Sequence, residues 1–158
     1  MESSINHCNG QILQLDYIEK VKKLAEKKKL RMHLDGARSW NAFAALDMEP
    51  RDYCKDFDLI SVCFSKGMGC PIGSVVIGTE EDIKQARVFR KMLGSGMRQI
   101  GVIAAPMLVS LQNWREKILI DNQNARFMAE EIAGWPGVTI KLDEVQTNIL
   151  RFELHEET

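Results

Sequence analysis

The sequence lacks paired cysteines at the short spacings that metal sites and dithiol motifs require. Its 158 residues include four cysteines, and none of them forms a CxxC pair: Cys8, Cys54, Cys63 and Cys70. Zinc ligand sets and redox motifs are recognised by such pairs, so we expect no metal site. Cys63 falls within an apolar strand pattern, where a free cysteine serves as a small core residue. We expect Cys63 and Cys70 to remain free thiols.

The sequence also lacks a membrane segment and an excess of charge of one sign. No apolar run approaches the roughly 18 residues of a membrane-spanning helix, and no secretory signal is present. The formal net charge is −1, and Glu19 and Glu26 interleave the lysines between residues 19 and 29. This mixture is typical of a solvated helix face rather than of a nucleic-acid surface. The absences predict an intracellular, cytoplasmic protein that binds neither membrane nor nucleic acid.

What the sequence does contain is an alternation of helical and strand patterns. Apolar spacing predicts helices over residues 16–28, 37–46, 80–93, 97–113 and 116–133, with a helical turn over 50–55. Strand patterns fall at residues 30–35, 58–65, 74–78, 138–142 and 147–154. The two central strands are almost wholly apolar, which is typical of a sheet covered on both faces. The pattern predicts an α/β fold with a mostly parallel central sheet flanked by helices.

Polar residues follow two successive strands of this predicted sheet. Asp35 and Arg38 come after the first strand, and Ser65 and Lys66 come after the second. Each has an ordinary structural explanation when taken alone: Asp35 as the N-cap of the next helix, Arg38 as a surface arginine, and Lys66 as a loop lysine. Ligands of parallel sheets gather at the carboxyl ends of strands, where we expect Asp35 and Lys66 to lie.

Taken together, these residues are explained better by a pyridoxal phosphate site than by a chance combination of separate structural roles. This cofactor needs a lysine that bonds to it covalently and a carboxylate that keeps its ring nitrogen protonated. Lys66 and Asp35, at the ends of neighbouring strands, could reach opposite ends of one pyridine ring. The hydroxyl of Ser65 and the glycines after Lys66 could provide donors and a close backbone approach for the phosphate.

Four stretches of the sequence resemble those of a known family. They are HLDGAR, CFSKGMGCPIGS, RKMLGSGMRQIG and QTNILRF. In this order they resemble the low-specificity L-threonine aldolases, which belong to the aspartate-aminotransferase-like (fold type I) group of pyridoxal-phosphate enzymes. The opening segment ESSINHCNGQILQLDYI also resembles the family, with Ser4 for threonine, Ile5 for histidine and Asn9 for the first glycine. The resemblance covers nearly all 158 residues.

The resemblance implies a role for each matched residue. Lys66 corresponds to the lysine that holds the cofactor, and Asp35 to the aspartate paired with the pyridine nitrogen. Arg38 would help to hold the substrate carboxylate, for which a guanidinium fork has the right geometry. Ser65 would contact the cofactor beside the lysine. The implied reaction is the cleavage of L-threonine or L-allo-threonine to glycine and acetaldehyde.

The glycine-rich stretch after residue 90 leaves two interpretations open. By resemblance, Lys91 and Arg98 match basic positions near the cofactor or a partner subunit, in a homo-oligomer that the family implies to be a homotetramer. Alternatively, Gly94-Ser95-Gly96 is simply a helix C-cap and turn.

The resemblance also implies a chain longer than this one at both ends. Upstream it implies a glycine-rich phosphate loop and a histidine stacked on the cofactor, and downstream a further carboxylate-binding arginine. The sequence has only His7, His33 and His155, none in the required place, and we expect His33 to be a core or sheet-face residue. We predict part of a cofactor-binding large domain over residues 1–137 and the start of a small domain over 138–158. The alternatives are a non-catalytic truncated fragment, or another fold type I lyase or aminotransferase.

Overall fold

The structure, a computed structural model, describes residues 1–155, and helices and strands alternate along most of that length. The elements are β1 (Ser4–Ile5), β2 (Gln11–Ile12), α1 (Leu15–Lys28), β3 (His33–Gly36), α2 (Ser39–Ala45), α3 (Pro50–Cys54), β4 (Leu59–Cys63), β5 (Ser74–Ile77), α4 (Glu80–Met92), α5 (Gly101–Ser110), α6 (Trp114–Ile132), β6 (Val138–Thr139), a 3₁₀ turn (Leu142–Glu144) and β7 (Glu153–Leu154). The predicted α/β class is confirmed.

The main sheet has the strand order β3–β4–β5. Strands β3 and β4 are parallel, with His33 opposite Leu59, and β5 is antiparallel to β4. A further parallel bridge joins Glu2 to Asp35, so the start of the chain runs alongside β3. The sheet therefore carries parallel neighbours on both sides of β3 and an antiparallel strand at one edge.

One face of this sheet packs into the hydrophobic core. Leu34 of β3 is completely buried, and it shares a cluster with Phe43 of α2 and Ile18 of α1. Full burial of such a side chain contributes roughly 1.5–3 kcal/mol relative to exposure. Trp40 sits at the centre of an aromatic group, with ring centroids 6.0, 5.6 and 5.1 Å from those of Phe43, Phe64 and Trp114 respectively.

The opposite face is open within residues 1–155, which corrects the expectation of a sheet covered on both sides. Burial alternates along β3, so that His33 and Asp35 are exposed while Leu34 and Gly36 are buried. On the same face of β4, Leu59, Ser61 and Cys63 are half-buried. His33 is therefore a sheet-face residue, as one of the two predicted alternatives had it.

Several predicted elements are shorter in the structure, and for two of them the reason is identifiable. The strand predicted over residues 147–154 is limited to Glu153–Leu154, which pairs with β6. Thr147 is instead held by the β1–β2 hairpin, because its hydroxyl donates to the Gly10 carbonyl at 2.8 Å. The helix predicted from residue 97 begins only at Gly101, since Gln99 has a left-handed φ of 45° that interrupts helical geometry.

Across residues 1–155, none of the helices is both long enough and apolar enough to cross a bilayer. All four cysteines are free thiols. The same residues contain no group of three or more histidine, cysteine or acidic side chains that could hold a metal ion.

The start of α4 is tied to the segment before β3 by a forked ion pair. Arg31 Nη1 and Nη2 donate to the two carboxylate oxygens of Asp82 at 2.6 and 2.7 Å. Asp82 also completes a capping box with Thr79. The hydrogen bonds from Arg31 are the main cause that lowers the pKa of Asp82 well below its ordinary value.

We predict that this ion pair makes stability depend on pH in a specific direction. A carboxyl group whose pKa is lowered by folding stabilises the fold above its unfolded pKa of about 3.9, and the stabilisation is lost as pH falls below that value. Asp82→Asn should therefore lower the thermal midpoint at pH 7, and the difference from wild type should shrink as pH falls from 5 to 3. Glu81→Gln, on the same exposed turn, is the control. A difference that stays constant with pH would contradict the prediction.

Candidate active site

The carboxyl ends of β3 and β4 meet at one edge of the sheet because the two strands are parallel. Asp35 is the second-last residue of β3, and Lys66 follows the end of β4 by three residues. The indole N–H of Trp40 donates to the Cys63 carbonyl at 3.1 Å, which holds the first turn of α2 over the end of β4. The structure thus brings Asp35, Arg38, Ser65 and Lys66 to the same edge.

Asp35 is fixed by its main chain and exposed through its side chain. Its N–H donates to the Met1 carbonyl at 2.7 Å. Its Oδ1 accepts from the Ala37 N–H at 3.0 Å. The N-cap interpretation of Asp35 is wrong, because α2 begins at Ser39 and its N-cap position is Arg38. The carboxylate instead braces the turn that leaves the strand.

Gly36 allows the chain after Asp35 to approach β4 closely. A Cβ atom at Gly36 would lie 2.6 Å from the Ser61 carbonyl oxygen and 2.7 Å from Ser39 Oγ. The hydroxyl of Ser39 is itself within 2.6 Å of the Ser3 hydroxyl, and both residues are fully buried. Only glycine fits between these groups, so the position of the neighbouring carboxylate is tightly constrained.

The loop that carries Lys66 is closed by its own backbone. The Gly69 N–H donates to the Lys66 carbonyl at 2.8 Å, and the Cys70 N–H donates to the Phe64 carbonyl at 3.0 Å. From α5, the buried Ser110 hydroxyl donates to the Met68 carbonyl at 2.6 Å. The main chain at Lys66 is therefore held in place, while the lysine side chain is exposed.

Gly67 presses the lysine loop against two helices at once. A Cβ atom there would lie 2.7 Å from Ile118 Cδ1 of α6 and 3.3 Å from Asn41 Oδ1 of α2. Both residues are buried, Ile118 completely and Asn41 to within 1%, so neither can move aside without cost. The lysine loop, α2 and α6 meet at this glycine.

Arg38 and Arg98 have different surroundings. Arg38 is half-buried at the N-cap of α2, directly beside the sheet edge. Arg98 is exposed in the turn before α5. The glycine stretch before it forms a helix C-cap: Gly94 has a φ of 84°, and the Ser95 N–H donates to the Arg90 carbonyl at 3.0 Å. The prediction that this glycine stretch forms a helix C-cap and turn is confirmed.

Sequence reasoning missed the residues that support the lysine loop. Asn41 was predicted only as part of an apolar helix, and Ser110 and Ile118 only as helix residues. The available signal was a single asparagine within the apolar stretch SWNAFAA, because a buried amide requires hydrogen-bond partners.

Comparisons with known proteins agree on one family. The family model described as beta-eliminating lyase matches residues 1–155. A probable low-specificity L-threonine aldolase 2 of Arabidopsis thaliana is 40% identical over 157 residues, covering 99% of this chain and 44% of the relative. A low specificity L-threonine aldolase of Escherichia coli is 35% identical over 152 residues, covering 96% of this chain and 45% of the relative. The chain thus spans less than half the length of these relatives.

The fold is also found among solved structures. A putative L-allo-threonine aldolase of Listeria monocytogenes superimposes with a TM-score of 0.86 at 22% identity, covering 96% of this chain and 42% of that chain. At this level of identity the similarity concerns the fold.

We predict that Gly67→Ala destabilises the protein because of Ile118. The added methyl group should cost about 1–3 kcal/mol of unfolding free energy through overpacking. Ile118→Val removes the Cδ1 atom that the methyl group would meet, at a cost of about 0.5–1.5 kcal/mol by itself. The double variant should therefore lose less than the sum of the two, as measured by urea unfolding. Gly101→Ala, where a Cβ atom meets open space, is the control, and strictly additive losses would contradict the prediction.

Proposed function

The chain belongs to the beta-eliminating lyase family, and from this premise we propose that it forms part of a pyridoxal-phosphate-dependent carbon–carbon lyase. The proposed reaction cleaves L-threonine or L-allo-threonine to glycine and acetaldehyde. The proposal rests on one observation. Asp35, near the end of β3, and Lys66, just after β4, lie at the same edge of the sheet because the two strands are parallel neighbours.

The residues at this edge fit the cofactor. When bound, pyridoxal phosphate supplies a ring that withdraws electrons from the substrate Cα. Lys66 has an exposed amine on a rigid loop, which is what covalent attachment needs. Asp35 uses Oδ1 for the Ala37 N–H, so its second carboxylate oxygen is available to accept a hydrogen bond from a protonated ring nitrogen. At Gly36 and Gly67 the space for a side chain is filled by neighbouring protein atoms, so the backbone that carries Asp35 and Lys66 packs closely against the rest of the fold.

The neighbouring polar residues suit binding and orientation. Arg38 lies beside Asp35 and has a guanidinium fork that can bind a substrate carboxylate through two parallel hydrogen bonds. The Ser65 hydroxyl, exposed next to Lys66, can donate to the cofactor. Arg98, exposed in the turn before α5, is proposed as a further cofactor contact, in its own chain or in a partner subunit.

The remaining parts of the proposal concern organisation and location. We propose that residues 1–137 belong to the large domain and that residues 138–158 begin the small domain, of which 156–158 lie outside the described residues. We also propose a homo-oligomer, with a homotetramer as the expected form, that acts in the cytoplasm in threonine catabolism and glycine biosynthesis. The apolar side chains exposed on α4 and α5 favour self-association; they include Val88, Phe89, Met92, Leu93 and Val102.

A second candidate is a non-catalytic fragment that retains the lysine and aspartate without binding the cofactor. The exposure of both side chains is the observation that favours it. Incubation with pyridoxal phosphate separates the two: a visible absorbance band that survives dialysis and disappears on borohydride reduction supports the enzyme. A further alternative, another fold type I lyase or an aminotransferase, is tested by assaying glycine and acetaldehyde release against formation of an oxo acid.

Lys66→Ala should abolish covalent attachment of the cofactor, because it removes the amine proposed to bond to it. After borohydride reduction, mass spectrometry of the wild type should find the pyridoxyl adduct on the peptide that contains Lys66. Lys84→Ala, which removes an exposed lysine of α4, should leave the adduct unchanged. An adduct of equal yield in Lys66→Ala would show that the lysine assignment is wrong.

Asp35→Asn separates the chemical role of this residue from its structural one. Asparagine keeps an oxygen that can accept from the Ala37 N–H, so the thermal midpoint and cofactor attachment should be nearly unchanged. The loss of the anion should reduce threonine cleavage by about three orders of magnitude, or roughly 4 kcal/mol of transition-state stabilisation. Turnover close to wild type with a bound, reducible cofactor would end the assignment of Asp35 as the pyridine partner.

A further inference from the structure

Two asparagines form a reciprocal pair between α2 and α6. Asn41 Nδ2 donates to Asn122 Oδ1 at 3.0 Å, and Asn122 Nδ2 donates to the Asn41 carbonyl at 3.0 Å. The first bond sets the orientation of the Asn41 amide, and the second ties the side chain of α6 to the backbone of α2. The pair therefore fixes both the rotation of the Asn41 side chain and the distance between the two helices.

The oriented amide faces the lysine loop. With its Nδ2 directed to Asn122, Asn41 presents Oδ1 to Gly67, 3.3 Å from the position that a Cβ atom would take there. Asn41 is 1% exposed and Ile118, on the adjoining turn of α6, is completely buried. A buried amide whose partner is removed loses its hydrogen bonds at the full cost of desolvation, so this orientation is strongly enforced.

Helix α2 is also connected to the sheet edge that carries Asp35. It begins directly after Arg38, and Trp40 joins it to the end of β4 at Cys63. Any shift of α2 against α6 would therefore change the separation between the edge that holds Asp35 and the loop that holds Lys66.

We propose that the Asn41–Asn122 pair is a positioning device that holds the Lys66 loop at a fixed distance from Asp35. The part of this inference that concerns the cofactor rests on the proposed function. Neither asparagine needs to touch the cofactor or the substrate. Asn122 orients the Asn41 amide, and Asn41 packs beside Gly67 in the lysine loop.

The test compares Asn122→Leu with two other variants. Leucine removes both hydrogen bonds and leaves the Asn41 amide without a partner. Asn122→Asp keeps an oxygen that accepts from Asn41 Nδ2 but loses the donor to the Asn41 carbonyl, so it retains one of the two hydrogen bonds and still allows a test if the leucine variant does not fold. Asn124→Ala changes an exposed asparagine of the same helix and is the matched control.

The first measurement is hydrogen exchange, which needs no cofactor. In Asn122→Leu, the Gly69 and Cys70 amides, whose bonds close the lysine loop, should exchange about tenfold faster, since two hydrogen bonds are lost. The Leu93 amide at the end of α4 should not change. Asn122→Asp, which keeps one of the two hydrogen bonds, should exchange at a rate between those of wild type and the leucine variant. Unchanged loop exchange in the leucine variant, or equal acceleration at Leu93, would overturn the proposal.

The second measurement is the rate of borohydride-trapped attachment of pyridoxal phosphate to Lys66. At saturating cofactor, this rate should fall about tenfold in Asn122→Leu and should fall less in Asn122→Asp, which keeps one of the two hydrogen bonds. Local loosening of the loop without any change in this rate would overturn the positioning role. If the wild type forms no adduct at all, the proposed function fails, and the hydrogen-exchange result alone decides whether the pair holds the loop.

Discussion

The parallel pairing of β3 with β4 determines where the polar residues of the candidate site lie. It brings the ends of two strands to one edge, and each strand is followed by a chain segment with very little freedom. Strand β3 ends at Gly36, which has no space for a side chain, and β4 is followed by a loop held by three hydrogen bonds. Lys66 thus has an exposed side chain on a rigid loop, and the exposed carboxylate of Asp35 is held by the Ala37 N–H. Such an arrangement keeps the entropic cost of holding a ligand low, because most of the ordering is already present in the fold.

The parts of this arrangement that depend on local pattern could be predicted from the sequence. Apolar runs ending in Asp35 and in Ser65-Lys66 indicated both the strands and their carboxyl ends, and the strand–helix alternation implied that those ends meet. Local pattern could not show that Ser110 donates to the lysine loop or that Asn41 faces Gly67. Those contacts join residues that are 42 and 26 positions apart in the chain, respectively, and depend on how three helices pack.

The errors in prediction also arise from contacts between residues that are distant in the chain. The stretch from residue 147 has the alternation of a strand, but Thr147 forms its hydrogen bonds with the β1–β2 hairpin instead of a neighbouring strand. Apolar composition predicted that both faces of the sheet are covered, whereas the face with His33 and Asp35 is open within residues 1–155. Composition measures how much surface should be buried and does not identify the segment that buries it.

The position of β5 has a consequence for the behaviour of the chain in solution. It is the edge strand of the described sheet, and Val76 and Ile77 on it are 43% and 48% exposed. Edge strands with apolar side chains and unpaired backbone groups are templates for the addition of foreign strands. Natural proteins block such edges with charge, proline or a bulge, none of which occurs in the sequence SVVI. During synthesis and refolding, this strand is therefore the segment of the sheet most exposed to aggregation.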